Sequence, residues 1–362
     1  MAWFFTHLSV IVAGFVAGGW FGITATGLNW WLLSALSLVM GFSFAGLAFV
    51  AHEALHGAIV SQHRARTWLG RVGFAAFCIS PRLWMAWHNR VHHGHTNIAG
   101  LDPDAYPSLE EYNTSPGARW FVKLGAPRSG KWRGIITFLF GFSIQSLQIL
   151  LWSKARGHLP KRHFRAAVVE SLATAALWLC CAWWLGPARF FMLYAVPVMI
   201  ANAIVMSYIV TNHSLNPLVD HDDTLTSTLS VTVPTWYEVF SLQFGYHVEH
   251  HLFPAMSHAF GPLVREELLQ LAPHRYQSLP LLTALRIIAT SPRVYDQQVF
   301  LFDPHTQERM PTLAAREAQV ADTTSHAAPA LLELSDEQTV IRTRMVALPL
   351  KASPSEAPPR AS

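Results

Sequence analysis

The chain has 362 residues, of which 51% are hydrophobic, 12% aromatic and only 13% charged, and its mean hydropathy is +0.26. Soluble domains carry about 25% charged residues, so this composition disfavours a soluble globule and points to long runs in lipid. The net charge of +4 leaves no footprint for nucleic acid. Cys78 and the adjacent Cys180 and Cys181 lack the paired spacing of a disulfide framework or zinc knuckle, and they read as small hydrophobes.

Crossing a hydrocarbon core of roughly 30 Å takes about 20 apolar helical residues. Four segments fit: Leu8 to about Thr24, Trp30 to Ala51, Ala166 to Leu185, and Phe190 to about Val210. Short turns at Ala25–Asn29 and Gly186–Arg189 join them into two helical hairpins, predicting an all-α integral membrane fold. No Lys or Arg precedes Arg64, whereas both are frequent from Arg64 to Arg165, which puts that side in the cytoplasm. The N-terminus lacks the basic start and cleavage site of a signal peptide and is expected to be a span.

Leu69–Trp87 is apolar but interrupted by Arg71, Pro81 and Arg82, which disfavours a crossing. Ile135–Trp152 is long enough to cross. Its basic flanks, and the stripe Thr137, Gly141, Gln145 and Gln148, predict instead an amphipathic helix on the membrane face. Residues 1–302 are expected to form the membrane domain. From Asp303 the chain turns polar and Pro/Ala/Ser-rich, and 303–362 reads as a disordered or peripheral tail.

Histidines bunch in three places: His52 and His56 in HEALH, His88, His92 and His93 in HNRVHH, and His247, His250 and His251 in HVEHH. Residues three or four apart share a helix face. His52 and His56 are therefore expected to converge on one ion, as are His88 with His92, and His247 with His250 and His251. Neighbouring pairs such as His92–His93 diverge by roughly 100° and can serve two ions. A lone histidine in an apolar chain is ordinarily a packed residue; eight in three clusters on one predicted membrane face form a metal site. A structural zinc site closes with four ligands, so eight imidazoles imply two ions. Iron is favoured over zinc because the location suits oxidation of a lipid chain. A carboxylate-bridged di-iron bundle needs two Glu-x-x-His motifs, and only Glu53–His56 is present.

HEALHG, HNRVHHGHTN followed by Asp102-Pro103-Asp104, and HVEHHLFP resemble the three histidine boxes of membrane fatty-acid desaturases. Thr96-Asn97 after the second box and Pro254 after the third resemble the acyl-lipid branch. The resemblance spans His52 to Pro254 and implies four transmembrane helices under a cytoplasmic-face helical cap that holds two irons. It also implies a ninth ligand, His213, with Asn212 beside it. Glu53 and Glu249 neighbour ligands and are candidates to orient imidazoles, as are Asp102 and Asp104.

The implied reaction is O2-dependent introduction of a cis double bond into an acyl chain of a lipid or acyl thioester. With no His-Pro-Gly-Gly haem signature and no nicotinamide or flavin fingerprint, electrons are expected from a separate ferredoxin or cytochrome b5-type donor. His247 stands where many front-end desaturases have glutamine, which puts front-end regioselectivity in doubt. A lipid hydroxylase or carotenoid-modifying oxygenase would share these boxes. A non-catalytic metal-binding or transport protein is the reading from another class, but it predicts ionisable residues within the spans, where Glu170 stands almost alone.

Overall fold

The computed structural model describes residues 1–21, 27–125, 131–157 and 159–316. Helix α1 (Ala2–Phe21) is followed by the long α2 (Gly27–His56), and α3 (His63–Gly73) folds back against the end of α2. A 3-10 turn at Ala75–Phe77 leads to α4 (Pro81–Ala86), which passes without a break into a π-helix, Trp87–His92. Short α5 (Leu109–Thr114) and α6 (Pro116–Gly125) precede α7 (Lys131–Arg156) and α8 (Lys161–Leu185). The stub α9 (Pro187–Phe190) and a π-turn at Phe191–Ala195 open α10 (Val196–His213).

The remainder is compact connecting structure. It comprises α11 (Thr224–Ser227), β1 (Ser230–Thr232), α12 (Thr235–Phe240), α13 (His247–Leu252), α14 (Gly261–Leu271), β2 (Ser278–Pro280), α15 (Leu281–Thr290), and strands β3 (Val294–Asp296), β4 (Phe300–Phe302) and β5 (Arg309–Pro311). β1 and β2 pair in parallel with Val231 opposite Leu279. β3, β4 and β5 form an antiparallel sheet, with Leu301 opposite both Tyr295 and Met310. The tail boundary expected at residue 303 falls within this small sheet; residues 317–362 lie outside those described.

Among the described residues, five helical segments are long and apolar enough to cross a membrane: Ala2–Trp20, Trp30–His56, Gly134–Ser153, Lys161–Leu185 and Pro187–His213. Four overlap the expected spans, the first of which ran on to Thr24, outside the described residues, and Gly27–Asn29 of the expected turn belong to α2; the fifth contains Ile135–Trp152. Helix α8 turns its apolar side chains outward, with Leu179 71%, Trp183 88% and Trp184 66% exposed. Such a face is unstable in water and ordinary in lipid.

Helices α2 and α10 form the centre and run side by side in the same direction. Phe44 meets Tyr194 edge-on at 6.5 Å, and Phe49 meets Tyr208 at 5.8 Å. Gly41 permits this close approach: a Cβ there would stand 2.7 Å from Ile200. Because the two helices are parallel, His52 and His56 of one and His213 of the other arrive at the same end. At the opposite end the last turn of α1 meets α9, where Arg189 Nη1 donates to the Gly19 carbonyl at 3.2 Å.

The segment between α3 and α4 dips beside α8 and α10. Its carbonyls at Ala75 and Ala76 accept from Trp178 Nε1 at 2.8 Å and the Tyr194 hydroxyl at 2.9 Å. Those bonds satisfy backbone that lipid could not. Ser80 caps α4 by accepting from the Arg82 and Leu83 amides, and Pro81 occupies the first turn, where no amide is needed. Glu170 of α8 binds Arg71 Nη2 at 2.7 Å, Arg82 Nε at 3.0 Å and Ser80 Oγ at 2.6 Å. The ionisable residue within a predicted span is thus a fixed structural clasp.

Candidate metal centre

Four stretches of chain deliver imidazoles to one place. His52 and His56 lie one turn apart on α2, with ring centroids 4.7 Å apart. His213 closes α10, and α13 carries His247, His250 and His251. His88 and His92 lie in the π-helix, and the His93 amide donates to the His88 carbonyl at 3.0 Å. This i+5 register corrects the expectation for the second box. A regular helix would have aligned His88 with His92, whereas the wider turn also brings His93 Nε2 to 3.3 Å from His88 Nε2.

The donor atoms divide into two groups, each within 4.8 Å of one another: His52, His56, His88 and His250, and His92, His213 and His251. His247 adjoins the second group, its Nε2 2.7 Å from His213 Nε2. His93 stands between the groups, stacked on His251 at 4.1 Å and 4.6 Å from His56. The expected convergence of His52 with His56 matches this arrangement. His88 and His92 are divided between these two groups but meet in a further grouping, and His250 joins the first group while His247 adjoins the second. A third grouping joins His88 and His92 with Asp104. There the acid lies 3.5 Å from His92 Nδ1, the nitrogen that Asp102 already approaches to 2.9 Å. We read Asp104 as holding the ring.

The donor chemistry fits metal ions. His52 Nε2 lies 3.1 Å from His88 Nε2, and two ligands at right angles on an ion with bonds of about 2.1 Å would be about 3 Å apart. His56 Nε2, His250 Nε2 and His251 Nε2 are buried with no hydrogen-bond partner, a costly arrangement unless something else engages them. Burial, reinforced by the surrounding imidazoles, holds His88, His93, His247 and His251 well below the ordinary histidine range, and His250 at about 3. Neutral imidazoles are the form that binds metal.

For His52, His92 and His251 the opposite ring nitrogen lies against an acid or a hydroxyl. His92 Nδ1 donates to Asp102 Oδ1 at 2.9 Å, and Asp102 also accepts from the Asn97 amide at 2.8 Å and the Asp104 amide at 2.9 Å. Burial alone would lower His92, but the Asp102 and Asp104 carboxylates outweigh it and raise the ring to about 9. Asp104 accepts from Trp87 Nε1 at 3.0 Å and Gln145 Nε2 at 2.6 Å. Glu53 Oε1 lies 3.2 Å from His52 Nδ1, and its other oxygen lies 3.8 Å from His258 Nδ1. Thr96 donates to the His92 carbonyl at 2.8 Å and lies 3.2 Å from His251 Nδ1, leaving His251 Nε2 to face inward.

Glu249 does something different. Its oxygens accept from Tyr276 at 2.5 Å and Ser230 at 2.7 Å, and Ser230 Oγ accepts from the Val248 amide at 3.0 Å. It anchors α13 and touches no imidazole through a hydrogen bond. Asn212 is fully buried, and its side-chain nitrogen and oxygen have no hydrogen-bond partner. His95 bonds the Val91 carbonyl of its own turn at 3.1 Å. The aromatic roof escaped the sequence reading. Trp84 is 2% exposed and stacks on His88 at 4.3 Å, and Phe244 meets His52 edge-on at 4.8 Å. An aromatic i−4 from a box histidine was the available signal for Trp84.

Helices of membrane-spanning length that carry a buried polyhistidine centre at one end define a class of membrane metalloprotein. The fatty acid desaturase family model matches residues 28–280, so the chain belongs to that family. Over 258 residues it is 24% identical to the "Delta(5) fatty acid desaturase fat-4" of Caenorhabditis elegans, covering 64% of this chain and 56% of that one. It is also 24% identical over 260 residues to the "sn-2 acyl-lipid omega-3 desaturase (ferredoxin), chloroplastic" of Arabidopsis thaliana, covering 64% and 53%. A "Beta-carotene ketolase" of Haematococcus lacustris is 30% identical over 108 residues, covering 28% and 30%. The chain thus spans little more than half the length of the two desaturases and less of the ketolase.

Proposed function

We propose that the protein is an acyl-lipid desaturase that uses two irons and O2 to introduce a cis double bond into an acyl chain. The observation that carries this reading is the division of buried imidazoles into two adjoining groups, the first beneath an aromatic roof. His52, His56, His88 and His250 would hold one iron, and His92, His213, His247 and His251 the other, with His93 between them. Bound there, the irons would supply the redox chemistry that O2 activation requires.

The protein's own contribution is orientation and dryness. Asp102 keeps the His92 proton on Nδ1, so Nε2 presents its lone pair to the metal. Glu53 can hold His52 in the same way. Trp84 and Phe244 exclude water from the first group, protecting a strongly oxidising site from side reactions. The substrate is an acyl chain carried by a lipid or thioester, and electrons come from a separate ferredoxin or cytochrome b5-type protein.

In this reading α1, α2, α8 and α9–α10 cross the membrane, with the histidines at the cytoplasmic face. Helix α7 leads into α8, whose Glu170 sits beside Arg71 and Arg82 and whose far end, at Trp184 and Leu185, lies near Gly19 of α1. Gln145, midway along α7, reaches Asp104 beside His92. On this reading α7 lies along the membrane face.

The carotene ketolase similarity supports a second reading, in which oxygen is inserted into an apolar polyene or acyl chain. Lipid mass spectrometry of a desaturase-deficient host separates the two: new double bonds support desaturation, and added oxygen supports the alternative. His250→Ala should abolish either product while leaving membrane insertion intact; retained product would overturn the assignment.

A further inference from the structure

A second indole stands at the metal centre. Trp87 opens the π-helix, is 1% exposed, and meets the His88 ring edge-on at 6.1 Å. Its Nε1 donates to Asp104 Oδ1 at 3.0 Å, and the other oxygen of that carboxylate lies 3.5 Å from His92 Nδ1. One indole thus reaches a histidine of the first group through its ring and a histidine of the second through an acid.

The acid is what sets this indole apart. A buried indole N–H needs an acceptor, and a neutral carbonyl or amide oxygen would serve. Asp104 instead brings a buried carboxylate beside Asp102, whose Oδ1 accepts the Asp104 amide at 2.9 Å. Burying a charge is costly, and a like charge alongside adds to the cost. Asp102 already holds His92 Nδ1 at 2.9 Å, and the other hydrogen-bond donor to Asp104 Oδ1 is the neutral Gln145, at 2.6 Å. A carboxylate whose hydrogen-bond donors are neutral gains most when one of them becomes positive, because opposite charges attract strongly where water is excluded. Of the two donors only indole gives up an electron readily, and its ring can carry the resulting charge.

We propose that Trp87 is a one-electron relay for the metal centre, oxidised to an indole cation radical that the Asp104 carboxylate stabilises. This rests on the iron and O2 reading above. One electron leaves the Trp87 ring for the oxidised metal site, which is reduced by one, and the Nε1 proton stays in place on its bond to Asp104. The separate one-electron donor protein then returns an electron and restores the neutral indole, so no bond is made or broken. When no acyl chain is bound, the relay drains an oxidising equivalent that would otherwise attack the surrounding side chains.

The test uses the purified full chain loaded with Fe(II), mixed with O2 in the absence of acyl substrate and freeze-quenched for electron paramagnetic resonance. Iron content and O2 uptake are measured on the same preparation. The expected signal is an organic radical whose hyperfine pattern narrows when the protein carries ring-deuterated tryptophan. Compared at equal iron content, Trp87→Phe should remove it, and Asp104→Asn should lower it about tenfold or more, the worth of one charge-assisted hydrogen bond. The wild type supplies a readout that needs no variant: repeated O2 cycles without substrate should leave oxidised tryptophan at position 87, located by fragmenting the peptide Leu83–Arg90. O2 uptake with no tryptophan radical, a radical that persists in iron-loaded Trp87→Phe, or oxidation at Trp84 alone would overturn the inference and leave the iron reading standing. A chain that takes up no iron, or binds it and leaves O2 unconsumed, would overturn that reading and the relay with it.

Discussion

Replacing Asp102 by Asn changes almost no volume, and its consequences follow from three bonds. The carboxylate side chain is fully buried, and it accepts from His92 Nδ1 at 2.9 Å, the Asp104 amide at 2.9 Å and the Asn97 amide at 2.8 Å. An amide has one accepting oxygen. If that oxygen faces His92, the new NH2 opposes the Asn97 amide, donor against donor. If it turns over, the NH2 faces His92 Nδ1 and drives the ring proton onto Nε2, where a metal would bind. Either outcome loses a charge-assisted bond and strands a buried donor, costing about 3 kcal/mol. Metal affinity should fall about 10–100-fold, the usual effect of removing an acid behind a ligating histidine. The assay is metal content after anaerobic loading with Fe(II) and competition by a graded chelator. The His92, His213 and His251 group should empty first, moving stoichiometry from two ions toward one. If Asp102→Asn resists the chelator as the wild type does, the orienting role is wrong.

Other outcomes follow from the same geometry. Gly73→Ala would place a Cβ 2.5 Å from the Leu47 carbonyl and 2.6 Å from Ala51 Cβ, so it should destabilise the protein by about 1–3 kcal/mol, read as a lower melting temperature in detergent. Folded-state values of His88, His93, His247, His250 and His251 lie below the unfolded value of about 6.5. Below that pH the unfolded chain binds the extra protons, so stability should fall on acidification, by up to about 1.4 kcal/mol per pH unit for each ring. His92, raised to about 9, works in the opposite sense: its contribution is complete below about 6.5 and fades as pH rises through 9. Five rings against one predict a melting temperature that declines from pH 6.5 to 5.5, and a rise over that interval would refute the balance. With Cys78, Cys180 and Cys181 replaced, single cysteines at Glu110 and Lys161 should label from the same side of the membrane. Labelling from opposite sides would make α7 a crossing.

The spacing of the histidines made much of the site legible, because i, i+4 pairs on a helix must share a face whatever surrounds them. His52 with His56 is the clear case. The second box was harder, since nothing local in HNRVHH announces a π-helix, and one extra residue in the turn redistributes which imidazoles meet. Glu249 shows the limit of adjacency. It neighbours His250 in sequence yet turns to Tyr276 and Ser230 on the other side of α13. Contacts brought together only by tertiary folding were invisible: Gln145 reaching Asp104, His258 approaching Glu53, and Trp84 roofing His88. Apolar run lengths located the long helices, but they record only hydrophobicity, so α7 resembles a crossing as much as its neighbours do.

The most direct test of the account is iron K-edge X-ray absorption on the purified, iron-loaded chain, with metal counted in the same sample. The expected result is two irons per chain in shells dominated by imidazole nitrogen. A single tightly held zinc, or iron ligated chiefly by carboxylate oxygen, would contradict it.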